Sequence, residues 1–188
     1  KVLATGPNHS IQLKTGRLVV PVWLSTGTGG NAHRPSVTAT IFSDDRGEKW
    51  HAGEIAVPCT DEWINPNETV AVELNNGSVM LNVRSESKAH RRLITISPDG
   101  ATKWSTPKFD DALLEPICMG GIVRYSHDGK SLILFSNPHN LDKEKGKAEP
   151  GKNRDRKNVS VKISRDEGQT WPVNKLIENG PSMYSDIA

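Results

Sequence analysis

Two short patterns alternate along this chain, and together they leave few folds open to it. The first is a strand, a Gly-containing turn and a second strand: SIQLKTGRLVVPVW at 10–23, AVELNNGSVMLNVR at 71–84 and IVRYSHDGKSLILFS at 122–136. The second follows each of these after a loop of variable length and a short β-rich run: SDDRGEKW at 43–50, SPDGATKW at 97–104 and SRDEGQTW at 164–171. Two of the three fit S-x-D-x-G-x-x-W fully, while the middle one keeps Ser97, Asp99 and Trp104 but has Ala101 where Gly is expected. Residues of these types at this spacing suit a tight hairpin: Ser and Asp bond backbone amides, Gly takes a left-handed conformation, and Trp covers the turn. Each repeat, at approximately 8–58, 68–113 and 118–178, therefore predicts four antiparallel strands, which is what a β-propeller blade requires. Helical periodicity is almost absent, because the apolar residues alternate or cluster in short runs punctuated by Gly and Pro, so the expected fold is all-β.

Strand parity sorts the loops onto two rims. If the first strand of each unit runs down from an upper rim, its Gly turn and its S-x-D turn both fall below, and the loop between its second and third strands falls above. The clearest unit is the hairpin at 67–84, where Val70, Val72 and Leu74 alternate, Asn75-Asn76-Gly77 makes the turn, and Val79, Leu81 and Val83 alternate on the way back. Its arms are nearly equal, so Glu68 and Arg84 are expected side by side at the open, upper end. Arg156, closing the long loop at 137–157 ahead of a strand at 159–164, is expected on the same rim. So is Tyr184, which follows the last fourth strand and starts the next blade at 184–188. Arg34, Arg91 and Arg92 fall on that side without a role beyond surface or ion-pair duty, as does Glu115-Pro116-Ile117-Cys118-Met119-Gly120-Gly121, which precedes a first strand. Groups converging on a concave mouth are where small-molecule sites are found.

Composition narrows the partners. A hydrophobic fraction of 35% and a mean hydropathy of −0.54 describe a soluble, loop-rich protein with no stretch approaching a membrane span. The 24 basic and 22 acidic residues are interspersed, which argues against nucleic acid as the main partner; the Lys-, Arg- and Glu-rich stretch 143–157 reads as a solvated loop. Six scattered His residues show no ligand-like spacing, so neither a metal nor a cofactor is expected. Cys59 and Cys118 fit no metal motif and no dense disulfide framework, and their spacing leaves pairing open. Asn8, Asn67, Asn76 and Asn158 each start an Asn-x-Ser/Thr triplet, meaningful only in a glycosylating host. With no initiator Met and no signal peptide, the chain is expected to be a piece of something longer.

The S-x-D signatures resemble the Asp-box (BNR) repeats of sialidases (neuraminidases), which are six-bladed β-propellers. NETVAVELNNGSVMLNVR at 67–84 resembles the stretch of the non-viral sialidases that carries their catalytic Glu and one Arg of an arginine triad, and GPSMYSDIA at 180–188 resembles the segment carrying their nucleophilic Tyr. The resemblance runs over essentially the whole chain, as about three blades of the six. It implies a retaining glycoside hydrolase that removes terminal sialic acid from sialylated glycans, with no cofactor, acting in a secreted, periplasmic or cell-surface setting. It implies Tyr184 as nucleophile, Glu68 as its base, and Arg84 and Arg156 as substrate-binding residues, with Arg154 the nearest rival for the second Arg. It also implies an earlier Arg and an Asp acting as general acid/base, both upstream, since nothing in 1–22 matches either motif.

The chemistry suits those residue types. A sialoside carries a carboxylate on its anomeric carbon, and the planar, permanently charged guanidinium is its natural clamp. A carboxylate nucleophile approaching that carbon would meet like charge, whereas a phenol is neutral until it attacks and can pass its proton to a neighbouring Glu. Two other readings are compatible with Asp boxes: a propeller hydrolase acting on another sugar, and a non-catalytic propeller that binds glycans or proteins.

Overall fold

The computed structural model describes residues 2–27 and 33–188, and every strand pairing in it is antiparallel. The first sheet holds β1 (Val2–Thr5), β2 (Ile11–Gln12), β3 (Leu18–Ser25), β4 (Ser36–Ser43) and β5 (His51–Val57). The second holds β6 (Thr69–Glu73), β7 (Val79–Val83), β8 (Arg91–Ser97) and β9 (Lys108–Leu114); the third holds β10 (Gly121–His127), β11 (Lys130–Pro138), β12 (Lys157–Ser164) and β13 (Val173–Pro181). Strands follow one another across each sheet in chain order, the meander of a propeller blade. No helix among the described residues is long and apolar enough to cross a membrane.

The first blade departs from the simple plan. Its innermost position is shared by β1, paired with the end of β3 through Thr5↔Val22, and β2, paired with its beginning through Ile11↔Val19. The repeat pattern at 10–23 revealed only the second piece. The interruption starts at Gly6, where an added Cβ would sit 2.4 Å from the Thr69 carbonyl oxygen, so the strand passes too close to the next blade for any side chain.

Side-chain alternation makes the middle blade the core of the molecule. Val70, Val72 and Met80 face the third blade, in a cluster with Leu113, Ile122, Ile133 and Phe135. Their strand neighbours Ala71, Val79, Leu81 and Val83 face the first blade, against Leu13, Val19 and Val57. A sheet buried on both faces reads as a near-continuous apolar run, and MLNV with TVAV is that pattern. The innermost strands of the three blades are neighbours, β6 touching β2 and β3 on one side and β10 on the other, so the sheets splay outward from a shared axis.

The Asp-box turns explain their own residues. In the first, Ser43 Oγ donates to Asp45 Oδ1 at 2.8 Å and accepts from Gly47 N at 2.8 Å, while Lys49 N donates to Asp45 Oδ1 at 2.8 Å. Ser164, Asp166, Gly168 and Thr170 repeat these distances in the third. The middle turn closes one residue sooner: Gly100 N bonds Ser97 Oγ at 3.0 Å, and Ala101 N and Thr102 N bond Asp99 Oδ1 at 2.9 and 2.8 Å. Gly100, at φ 74°, thus takes the left-handed place that the motif count assigned to position 101, and Ala101 is fully buried. Trp104 and Trp171 pack into the cluster each blade shares with the one before it, while Trp50, in the first blade, is 46% exposed.

A Cβ at Gly100 would lie 3.0 Å from Val79 and 3.1 Å from Val19 as well as demanding a left-handed backbone. Gly100→Ala is therefore expected to cost about 1–2 kcal/mol, read as a drop in the urea midpoint at unchanged slope.

The lower rim is laced by ion pairs, Arg17 with Asp44 and Asp99, and Arg124 with Glu167. That leaves the opposite rim to the long loops.

Candidate active site

The site begins where β6 and β7 open. Backbone pairing continues one step beyond both strands, Asn67 N bonding Arg84 O and Arg84 N bonding Glu68 O, each at 3.0 Å, so the two side chains rise together from a rigid edge. Arg84 Nη1 donates to Glu68 Oε2. Tyr184, 116 residues further along the chain than Glu68, donates its hydroxyl to the other carboxylate oxygen, Oε1, at 2.5 Å, and Arg84 Nη1 lies 3.4 Å from the same hydroxyl. Glu68 and Arg84 are nearly enclosed, with side chains 15% and 11% exposed, whereas Tyr184 is 46% exposed at the mouth.

The electrostatics follow from this enclosure. Burial, followed by the hydrogen bond and charge of Glu68, pushes the Tyr184 phenol up to about 12, against the opposing pull of Arg84 and Arg156. The phenol is therefore neutral near pH 7, its proton directed at the carboxylate. Burial alone would lower the Arg84 pKa, but the charges of Glu68 and Glu115 outweigh it and hold the guanidinium firmly protonated. Arg84 Nε is buried with no hydrogen-bond partner among the described residues.

Arg156 arrives from the long loop, immediately before β12, and its guanidinium carbon lies 5.6 Å from the centroid of the Tyr184 ring. Its Nη2 donates to Ile117 O at 2.6 Å, and its own carbonyl accepts from Ser182 N at 3.0 Å. Arg154 folds back on its loop, donating to Glu149 O at 2.8 Å. The structure thus gathers Glu68, Arg84, Arg156 and Tyr184 at one rim and leaves Arg154 aside. Glu68, Arg84 and Tyr184 border a cavity of about 260 Å³; Arg156 meets the cluster through the ring rather than through that cavity's wall.

Five further residues border the same cavity: Trp23, His33, Arg34, Asn67 and Glu86. Arg34 grips Glu86 through Nε, at 2.9 and 2.8 Å to its two oxygens, and through Nη2; Asn65 Nδ2 adds a bond at 2.9 Å. Burial would raise the Glu86 carboxyl, but these hydrogen bonds hold it below its usual range. Glu86 lies two residues beyond Arg84, on the same side of an extended chain, and that period-two spacing is the signal by which sequence reading could have found it. A second cavity of about 550 Å³ shares Arg34 and Glu86 with the first and is bordered also by Lys88 and Lys152.

No cluster of three or more His, Cys, Asp or Glu suited to a metal occurs among the described residues. Cys59 and Cys118 are both free thiols, and burial pushes Cys118 up to about 11.

Comparison with known proteins follows the same lines. Residues 1–188 match the family model described as a BNR repeat-like domain. The chain is 30% identical over 163 residues to a sialidase of Micromonospora viridifaciens, covering 84% of this chain and 22% of that protein. It is 29% identical over 212 residues to a sialidase of Vibrio cholerae, covering 97% of this chain and 25% of that protein. Among solved structures, the Hadza microbial sialidase Hz136 superimposes with a TM-score of 0.76 at 27% identity, over 98% of this chain and 32% of that one. A Trypanosoma rangeli sialidase solved with 2,3-difluorosialic acid as a covalent intermediate gives 0.73 at 21% identity, over 99% of this chain and 27% of that one, a likeness of fold. The chain spans between about a fifth and a third of the length of these proteins, and its three sheets are part of a propeller.

Proposed function

The chain belongs to the BNR repeat-like domain family, and from that premise we propose that the protein carrying it is an exo-α-sialidase, releasing terminal sialic acid from glycoconjugates with retention of configuration. The observation that carries this reading is the hydrogen-bonded row Tyr184–Glu68–Arg84. A phenol whose proton already points at a carboxylate is an activated nucleophile, and sialidases are exceptions to the two-carboxylate pattern in using Tyr.

In this reading Tyr184 Oη attacks the anomeric carbon as its proton passes to Glu68, and the bond to the aglycone oxygen breaks. That oxygen takes a proton from an acid in an adjoining blade, by resemblance an Asp. Water then displaces the phenol from the glycosyl–tyrosine, giving its proton to that Asp, now the base, while Glu68 returns its own to Tyr184. Arg84 and Arg156 hold the substrate carboxylate throughout, and their charges stabilise the negative charge that develops as the phenol loses its proton. By resemblance to the family, the substrates are sialylated glycans and the protein acts in a secreted, periplasmic or cell-surface setting.

The test is hydrolysis of a fluorogenic α-sialoside by the full-length protein. Arg84→Lys and Arg156→Lys are each expected to raise KM by about tenfold or more, because an ammonium cannot reproduce the paired hydrogen bonds of a guanidinium. A full-length protein that neither hydrolyses the sialoside nor binds a sialic-acid transition-state analogue would overturn the proposal and leave a non-catalytic propeller in its place.

A further inference from the structure

The stretch Glu115-Pro116-Ile117-Cys118-Met119-Gly120 links β9 to β10, whose first residue is Gly121, and all seven residues from 115 to 121 are buried. A connection inside a protein is unusual, because each backbone N–H and C=O withdrawn from water needs a partner. Here the partners are largely side chains from elsewhere. Cys118 N donates to Glu115 Oε1 at 2.8 Å, and Cys118 O accepts from Arg92 Nη1 at 3.2 Å. Arg92 Nη1 also meets Glu115 Oε2 at 2.5 Å, in an ion pair whose side chains are 0% and 1% exposed. Gly120 O accepts from Asn8 Nδ2 at 3.0 Å, and Ile117 O accepts from Arg156 Nη2 at 2.6 Å.

Two details tie this loop to the reacting groups. Ile117 is a buried, β-branched residue at φ 61°, a left-handed conformation that persists only where surroundings enforce it. The Glu115–Cys118 bond and the Arg92 brace on either side supply that enforcement, and the result is a carbonyl turned toward Arg156. At the other end, a Cβ on Gly121 would lie 2.9 Å from Asp186 Cα and 3.1 Å from Ser185 O, so the segment just after Tyr184 rests directly on this glycine. Asn8 Nδ2, which bonds Gly120 O, also reaches Ser185 O at 3.4 Å.

We infer that the buried 115–121 loop, braced by the Glu115–Arg92 pair, is the positioning element of the site: through Ile117 O it sets the Arg156 guanidinium, and through Gly121 it seats the segment bearing Tyr184. Glu115 and Arg92 act through other residues and touch no substrate. The inference rests on the functional reading above and adds a division of labour within one loop, ligand affinity at its Ile117 end and turnover at its Gly121 end.

The experiment uses the full-length protein, a fluorogenic α-sialoside and the analogue 2-deoxy-2,3-didehydro-N-acetylneuraminic acid. Glu115→Gln is expected to raise the analogue Kd about tenfold, and in an Arg156→Ala background to add less than about threefold, because the guanidinium that Ile117 O places is gone. Gly121→Ala is expected to lower kcat about tenfold or more with Kd nearly unchanged. A structural role alone would give neither the split nor the non-additivity. If Glu115→Gln does not fold, Glu115→Asp keeps the charge opposite Arg92 while shortening the reach to Cys118 N, and the same shift in Kd is expected. Folded Glu115 variants with wild-type Kd, or a cost that adds fully to that of Arg156→Ala, overturn the inference while wild-type hydrolysis leaves the functional reading standing. A wild-type protein that does not bind the analogue overturns both.

Discussion

Tyr184→Phe is expected to lower kcat toward a fluorogenic α-sialoside by at least about 10³-fold while leaving analogue binding within about threefold. The substitution removes only the hydroxyl that donates to Glu68 at 2.5 Å; the ring beside Arg156 remains. Loss confined to kcat is the mark of a group used in the reaction rather than in binding. Glu68→Gln should fall comparably, since an amide cannot take the phenolic proton. The pH profile supplies an independent check. With the phenol pushed up to about 12, ionisation of free Tyr184 contributes nothing between pH 7 and 10, so kcat/KM should show no rising alkaline limb there. Retention of more than a tenth of wild-type kcat in Tyr184→Phe would remove it from the role of nucleophile.

Phe135→Ala is expected to destabilise the protein by about 3–5 kcal/mol, seen in urea denaturation as a lower midpoint. The ring is fully buried between the second and third blades, packs on Trp171 at 6.1 Å between centroids, and lies under two cations, the Arg92 guanidinium at 5.6 Å and the Lys162 ammonium at 5.7 Å. Burial, with Arg92 nearby, lowers the Lys162 pKa to about 8, from the 10.5 of an exposed lysine. The unfolded chain therefore binds more protons than the folded one between those values. Lys162 costs stability in full below pH 8, and that cost is relieved as pH rises toward 10.5. Removing the ring and admitting water returns Lys162 toward its ordinary value, so the gain in stability from pH 8 to 10 should shrink in Phe135→Ala. A loss below about 1 kcal/mol would mean that the cluster closes over the gap.

Much of this fold was legible because its signals are local. The Ser, Asp and Gly of each Asp box bond one another within a few residues, so their spacing carries the turn without reference to the rest of the chain. Even so, counting motif positions misassigned the middle turn, where Gly100 rather than position 101 takes the left-handed conformation; the register of such a turn depends on Ala101 being packed against another blade. The Glu68–Arg84 neighbourhood was legible for a similar reason, since equal arms around an Asn-Asn-Gly turn set which residues face each other at the open end. The Arg34–Glu86 grip was not: spacing from Arg84 could have flagged Glu86, but the grip joins two blades and nothing local brings Arg34 to it.

What the sequence determined by itself is an all-β chain of repeated four-stranded blades, with Glu68, Arg84, Arg156 and Tyr184 on a common rim, because strand alternation and chain direction follow from neighbours along the chain. What only the tertiary structure decided is how those groups meet: Tyr184 on Glu68, Arg156 against the phenol ring, and a buried loop at 115–121 whose carbonyls need capping. These contacts join residues from 26 to 116 positions apart, and their geometry is set by how the blades and loops pack together, a relation that periodicity within a blade does not encode.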